Sequence, residues 1–155
     1  MPLPPLQEDF KEFIELMISS NVRFVMIGGY AYNLYRNPRA TADIDFFVAC
    51  DDENETKMRA VLEQFGFGET LTTDRVLVDG KVIMLGRAPF RIDILTSIAG
   101  VSFREVESTA RTHEIDGISV PVISPELLLK NKQAAGRPKD LADVEELRLW
   151  LNDLE

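Results

Sequence analysis

The stretch that decides the fold runs from Ile27-Gly28-Gly29-Tyr30 to Arg39-Ala40-Thr41-Ala42-Asp43-Ile44-Asp45-Phe46-Phe47-Val48. It is typical of a strand ending at two glycines, then a helix, a loop and a second strand. Side chains alternate along a strand, so Asp43 and Asp45 are expected on one face, roughly 7 Å apart. Two like charges this close on an apolar strand repel each other unless a cation binds between them. A bound Mg²⁺ is the simplest explanation for the pair.

The composition predicts a single domain over residues 1–155, because 45% of the 155 residues are hydrophobic and can fill one core. The net charge of −9 argues against a general nucleic-acid binder, since phosphate contacts need basic surface. No run approaches the roughly 18 apolar residues of a membrane span, so no membrane partner is expected. The first residues do not resemble a signal peptide and Cys50 is alone, so we expect a cytoplasmic protein.

Hydrophobic periodicity predicts an α+β domain, with a mixed β-sheet, helices mainly on one face and helices at the C-terminus. The predicted helices cover 6–20, 30–35, 51–66, 101–108, 124–135 and 140–154, and the predicted strands cover 23–27, 42–49, 75–78, 81–85, 90–95, 111–115 and 118–122. Asp79-Gly80 and Asp116-Gly117 are hairpin signals between the strands on either side of them. Residues 67–79 stay open between a short strand and a loop.

Asp93 is a third candidate carboxylate, because it lies in a strand where apolar and polar residues alternate. If this strand neighbours the one that carries Asp43 and Asp45, the three acids converge on a site for one or two Mg²⁺ ions. No cluster of histidine and cysteine is present to bind zinc instead. An alternative stays open, in which Asp93 simply pairs with Arg91 or Arg87.

Gly28 and Gly29 leave a strand and enter a helix, which allows a phosphate group to approach backbone N–H groups and the positive end of the helix. The alternative is an ordinary turn between a strand and a helix. The Asp-x-Asp pattern that follows on an apolar strand favours the phosphate interpretation.

The sequence resembles the DNA polymerase β nucleotidyltransferase superfamily, through Ile27-Gly28-Gly29 and Asp43-Ile44-Asp45-Phe46. The Arg39-x-Thr41-x-Asp43 context is similar to the AbiEii-like branch of bacterial nucleotidyltransferases. The segment Lys132-Gln133-Ala134-Ala135-Gly136-Arg137-Pro138-Lys139-Asp140-Leu141-Ala142-Asp143 resembles the C-terminal motif of that branch. The resemblance covers residues 20–152 and implies a polymerase β-like fold.

The resemblance also implies roles for the acidic residues and glycines. Asp43 and Asp45 would bind the Mg²⁺ ions that carry the triphosphate of an NTP. Asp93 would assist the attacking hydroxyl group, and Gly28 and Gly29 would cradle phosphate.

Four further residues are assigned less directly. Lys132, or in second place Lys130, would contact the triphosphate. Asp140 would orient a basic partner or touch the nucleotide, although it could instead be only the N-cap of the last helix. Arg39 and Thr41 would either contribute to nucleotide binding or only order the loop before the strand.

The function predicted from these residues is Mg²⁺-dependent transfer of a nucleoside monophosphate from an NTP to a hydroxyl group. The acceptor could be RNA or tRNA, a protein or a small molecule. The branch includes toxins of toxin–antitoxin pairs, so an antitoxin is a candidate partner. The alternative is a catalytically inactive nucleotide-binding or protein-interaction module of the same fold.

Overall fold

The computed structural model describes residues 6–36, 41, 43–71, 74–87 and 89–154. Within these residues the helices are α1 (Glu8–Ser19), α2 (Gly28–Tyr35), α3 (Asp52–Leu62), α4 (Phe103–Thr109), α5 (Pro125–Ala135) and α6 (Pro138–Asp153). The strands are β1 (Phe24–Ile27), β2 (Asp43–Val48), β3 (Val82–Arg87), β4 (Phe90–Leu95), β5 (Arg111–Ile115) and β6 (Ile118–Val122). A π-helical turn, Glu63–Phe67, and a 3-10 turn, Gly68–Thr70, follow α3.

The strands form one mixed sheet in the order β3-β4-β2-β1-β6-β5. β2 is antiparallel to β1 and parallel to β4, while β1 is parallel to β6. β3–β4 and β5–β6 are antiparallel pairs at the two edges. The predicted α+β fold with a mixed sheet is therefore confirmed.

The core is built on β2, whose residues alternate between the two faces of the sheet. Ile44 and Phe46 are fully buried on one face, where the ring of Phe13 from α1 lies 6.0 Å from the ring of Phe46. The next residue, Phe47, points to the opposite face and meets Phe103 of α4 at 5.2 Å. Burying one such side chain stabilises the fold by about 2 kcal/mol, so these contacts fix the strand that carries the acidic pair.

A buried side chain holds β1 and β2 in register. Asn54, at the start of α3, is 1% exposed, and its amide oxygen accepts a hydrogen bond from the backbone N–H of Arg23 at 2.8 Å. Its amide nitrogen donates to the carbonyl groups of Ala49 and Arg23 at 2.7 and 3.1 Å. The start of β1 and the end of β2 are thereby joined to one helix.

The predicted hairpin around Asp79-Gly80 is wrong, because residues 75–78 do not form a strand. The carboxylate of Glu55 accepts hydrogen bonds from the backbone N–H groups of Val76 and Leu77 at 3.2 and 2.7 Å. A side chain of α3 thus satisfies amides that a strand partner would otherwise bind, and Leu77 is buried in the core. β3 pairs instead with β4.

The C-terminal half follows the predicted pattern closely. The hairpin at Asp116-Gly117 joins β5 and β6 as expected. The hydroxyl group of Ser124 accepts a hydrogen bond from the N–H of Leu127 and caps α5, which ends at Gly136 with a φ of 63°. In the part of the chain described here, no helix is long and apolar enough to cross a membrane.

Candidate active site

The three predicted acids lie on one face of the sheet, where β2 and β4 run parallel. Asp45 is in register with Asp93, and Asp43 is in register with Arg91. Residues in register on neighbouring parallel strands point to the same side, so the four charged side chains come together. The sequence prediction that Asp93 meets the Asp43–Asp45 pair in space is therefore confirmed.

These acids open onto a cleft of about 510 Å³ between the sheet and the start of α6. The cleft brings together eight of the nine residues predicted for the site. They are Gly28, Gly29, Thr41, Asp43, Asp45, Asp93, Lys132 and Asp140. The ninth, Arg39, lies outside the described residues.

The two glycines allow α2 to begin directly beside the acids. Gly28 has a φ of +72°, and a Cβ atom built there would lie 2.2 Å from Oδ2 of Asp45. A Cβ atom on Gly29 would lie 2.9 Å from Oγ1 of Thr41. Thr41 in turn donates a hydrogen bond to the carbonyl oxygen of Asp43 at 3.2 Å, which is the loop-ordering contact considered for it.

The close approach at Gly28 predicts a measurable loss of stability on substitution. Gly28→Ala should lower the free energy of unfolding by about 3 kcal/mol, because the left-handed backbone and the Asp45 carboxylate both oppose a side chain. Gly80→Ala is the matched control, since Gly80 has a φ of +81° with nothing within 4 Å of the built Cβ atom, and about 1 kcal/mol is expected. Urea unfolding of both variants measures the difference, and equal losses would show that Asp45 does not crowd Gly28.

Asp45 is the electrostatically strained member of the group. Burial, followed by the negative charges of Asp93 and Asp43, raises its pKa to about 7, while Lys139 acts in the opposite direction. In the absence of a cation, Asp45 therefore holds a proton close to neutral pH.

Arg91 balances the negative charges of Asp43 and Asp93. Its Nε and one terminal nitrogen donate to the two carboxylate oxygens of Asp93 at 2.8 and 3.0 Å. The same terminal nitrogen donates to Oδ2 of Asp43 at 2.9 Å. Of the two arginines considered as partners of Asp93, Arg91 makes the contact, and it also reaches Asp43.

The chemistry of the acids fits a magnesium ion. They offer only carboxylate oxygens, which Mg²⁺ prefers, and Gly28 places no side chain over Asp45. As the side chains stand, no group of three or more histidine, cysteine, aspartate or glutamate residues is arranged to hold a metal within the described ranges. The guanidinium group of Arg91 lies between two of the acids, so a metal ion has to replace it there.

The C-terminal motif forms a buried ion-pair network. Lys132 is 4% exposed, and its Nζ lies 3.0 Å from Asp143 and 3.5 Å from Asp140. Asp140 also accepts a hydrogen bond from Arg137 at 2.7 Å. Although burial acts to raise the pKa of Asp140, Arg137 and Lys132 hold it below its ordinary value. Asp140 lies in the first turn of α6 while Arg137 occupies the N-cap position, so the N-cap alternative for Asp140 is wrong.

Sequence reasoning missed three residues of the cleft. Arg91, Arg137 and Lys139 all line it, and Lys139 is close enough to act on the pKa of Asp45. The signals were present, since Arg91 lies two residues before Asp93 on the same face and the other two belong to the C-terminal motif. Lys130, by contrast, is not among the cleft residues and pairs with Glu105 at 3.7 Å.

Several solved structures share this fold. A Thermotoga maritima protein classed as a nucleotidyltransferase is 18% identical, with a TM-score of 0.58. The superposition covers 94% of this chain and 92% of the Thermotoga chain. The antibiotic-resistance factor ANT(2'')-Ia is 18% identical, with a TM-score of 0.59, and the superposition covers 96% of this chain and 83% of that protein. The lincosamide antibiotic adenylyltransferase LnuA, solved with lincomycin bound, is 13% identical, with a TM-score of 0.55 and coverage of 94% and 98%. At these identities the likeness concerns the fold.

No curated protein matches the chain. Residues 6–154 match the family described as "Nucleotidyl transferase of unknown function (DUF2204)", which spans nearly the whole sequence. The acids, glycines and basic residues of the cleft all lie within the matched range. The chain belongs to this nucleotidyl transferase family and is an enzyme that transfers nucleotides.

Proposed function

We propose that the protein transfers a nucleoside monophosphate from an NTP to a hydroxyl group with Mg²⁺ as cofactor. The observation that supports this most strongly is the parallel register of β2 and β4, in which Asp45 lies beside Asp93 with Asp43 on the same face. The cleft next to these acids holds two glycines at a helix start and several basic side chains, which suit a triphosphate.

Each acid has a role in the proposed reaction. When bound, Mg²⁺ supplies positive charge that neutralises the triphosphate and favours departure of pyrophosphate. Asp43, Asp45 and Asp93 would hold the metal, and Asp93 would also accept the proton of the acceptor hydroxyl group. The hydroxyl oxygen then forms a bond to the α-phosphorus atom, while the bond from that atom to the β-phosphate oxygen breaks.

The triphosphate is held by two groups of residues in this proposal. Gly28 and Gly29 begin α2 and line the cleft, and a helix start favours negative charge. Lys139 contributes the second contact, from the start of α6. Lys132 acts through the network with Asp140, since its own ammonium group is bound by two aspartates.

The position of Lys139 leads to a prediction about NTP binding. Lys139→Ala should weaken binding of a non-hydrolysable NTP about tenfold, because one charged contact to phosphate is lost. Lys130→Ala is the matched control, since its side chain is 56% exposed and the residue is not part of the cleft. Isothermal titration calorimetry of both variants in Mg²⁺ measures the effect. Equal affinities for the two variants would put the triphosphate elsewhere.

Lys132→Ala is a less informative test of triphosphate binding. The substitution would leave Asp140 and Asp143 buried without their shared cation, which costs about 3–5 kcal/mol of stability. A loss of NTP binding would then report unfolding as much as a missing phosphate contact.

The acceptor is proposed to be a hydroxyl-bearing small molecule or the end of an RNA. ANT(2'')-Ia has been solved with adenylyl-2''-tobramycin and LnuA with lincomycin, so two proteins of this fold bind an antibiotic or its adenylylated form. The net charge of −9 disfavours long contacts with RNA but leaves room for a tRNA end in the basic part of the cleft. A toxin role, an antitoxin partner and the AbiEii-like branch stay predictions.

The direct experiment mixes purified protein with each labelled NTP, Mg²⁺ and one acceptor class at a time. Total RNA, tRNA, the protein itself and a panel of aminoglycosides and lincosamides are the acceptors. Label on an acceptor together with released pyrophosphate supports the proposal and names the class. Tight NTP binding without transfer to any acceptor would favour the inactive binding module instead.

A further inference from the structure

Arg91 lies in the cleft beside Asp43 and Asp93, and its positive charge contacts both carboxylates. Its guanidinium group makes a two-pronged contact with Asp93, at 2.8 and 3.0 Å, and a third contact with Asp43 at 2.9 Å. The side chain of Asp93 is only 12% exposed, so this pairing is shielded from water on one side. A planar fork that meets a carboxylate with two hydrogen bonds is the strongest form of such a pair.

The same carboxylate oxygens are those that a metal ion would need. All three hydrogen bonds of Arg91 end on Oδ atoms of Asp43 or Asp93, and both acids share its face of the sheet. A carboxylate oxygen that accepts a short hydrogen bond from a guanidinium group has less negative charge to offer a cation. Metal binding and the Arg91 pairing therefore oppose each other.

We propose that Arg91 is a built-in counter-ion that competes with Mg²⁺ for Asp43 and Asp93. When the metal binds these acids, the guanidinium group of Arg91 binds the triphosphate of the nucleotide instead. The inference rests on the proposed function, because it uses the same acids. Its consequence is that the metal alone binds weakly and that metal and nucleotide bind together. Arg91 thus contacts the acids when the cleft is empty and the triphosphate when the nucleotide is bound.

The first test measures metal binding without nucleotide. Mn²⁺ replaces Mg²⁺, and the free ion is counted by electron paramagnetic resonance in wild type, Arg91→Gln and Arg87→Gln. Arg87 is the matched control, since it lies on the neighbouring strand opposite Phe90 and makes none of these contacts with Asp43 or Asp93. Arg91→Gln should bind Mn²⁺ about tenfold or more tightly than the other two proteins. An unchanged or weaker affinity would overturn the inference.

The second test measures whether the guanidinium group of Arg91 binds a triphosphate. Inorganic tripolyphosphate at a Mg²⁺ concentration that saturates each protein is the probe, so that the metal has already displaced Arg91 from the acids. Wild type and Arg87→Gln should bind it more tightly than Arg91→Gln does. If Arg91→Gln binds tripolyphosphate as well as wild type, the nucleotide does not take over the guanidinium group.

A third variant separates this inference from the proposed function. Asp45→Asn should lose Mn²⁺ binding, and if it binds Mn²⁺ like wild type, the metal site and the proposed function both fail. If Asp45→Asn loses binding but Arg91→Gln equals wild type, only the role of Arg91 fails. Circular dichroism checks the fold of each variant. Arg91→Lys, with a compact charge that cannot form the fork, should give an intermediate Mn²⁺ affinity if Arg91→Gln does not fold.

Discussion

Replacing Asp45 with asparagine is expected to abolish nucleotidyl transfer while leaving the fold intact. Asp45 lies in register with Asp93 at the centre of the acidic face, and the amide would remove one of the three charges proposed to hold the metal. Loss of one charged group that stabilises a transition state costs about 10²–10³-fold in rate, and loss of the metal itself costs more. We therefore expect a decrease of about 10³-fold or more.

The measurement is the rate of pyrophosphate release with the acceptor identified in the screen. Asp153→Asn is the matched control, because it makes the same chemical change at an exposed position at the end of α6. Circular dichroism and the unfolding midpoint should be close to wild type for the control. Transfer by Asp45→Asn at the wild-type rate would show that the metal assignment is wrong.

The metal-free protein should lose stability as the pH rises from about 4 to about 8. The pKa of Asp45 is raised to about 7, mainly by burial and then by Asp93 and Asp43, whereas an unfolded aspartate ionises near pH 4. Between these values the folded state holds a proton that the unfolded state has released. The contribution of Asp45 to the free energy of unfolding is therefore fully present below about pH 4. It is lost as the pH rises through 7, by roughly 2–4 kcal/mol.

The comparison with Asp45→Asn isolates this effect from other titrating groups. Burial and then Arg111 lower the pKa of His113, but this residue is present in both proteins and cancels in the comparison. Urea unfolding in EDTA at several pH values gives the free energy of unfolding for each. The difference between wild type and Asp45→Asn should change by the stated amount, and a difference that stays constant with pH would contradict the assigned pKa.

Magnesium should remove this pH dependence. A bound cation stabilises the ionised form of Asp45, so saturating Mg²⁺ should raise the melting temperature of wild type most at pH 8 and least at pH 5. The Asp43→Asn/Asp45→Asn double variant should not respond to Mg²⁺ at either pH. A double variant that still gained several degrees would place the stabilising metal elsewhere.

The acidic site could be predicted because it rests on local patterns. The alternation of acid and apolar residue in β2 and again in β4 fixes which face each aspartate occupies, whatever the order of the strands. Gly28 and Gly29 were recognisable because the helix start needs backbone without side chains. Their contact with Asp45 and Thr41 gives this pattern its physical reason.

The errors and omissions come from contacts between distant parts of the chain. The segment 75–78 has the composition of a strand, and only the position of Glu55 on α3 shows that its amides are already bound. The burial of Lys132 depends on α6 packing against α5, which brings Asp143 to it. Single residue types do not reveal such partners, because they depend on tertiary packing.

The pairing of β2 with β4 also orders the events of folding. Asp43 and Arg91 are 48 residues apart in the chain, so the ends of a long loop must meet before the acids can. Such non-local pairing forms late and slowly compared with the β5–β6 hairpin, whose strands are adjacent. A nascent chain that has not yet reached residue 91 lacks the third carboxylate and its arginine. A divalent ion that needs all three acids would therefore stabilise the finished sheet and not its early precursors.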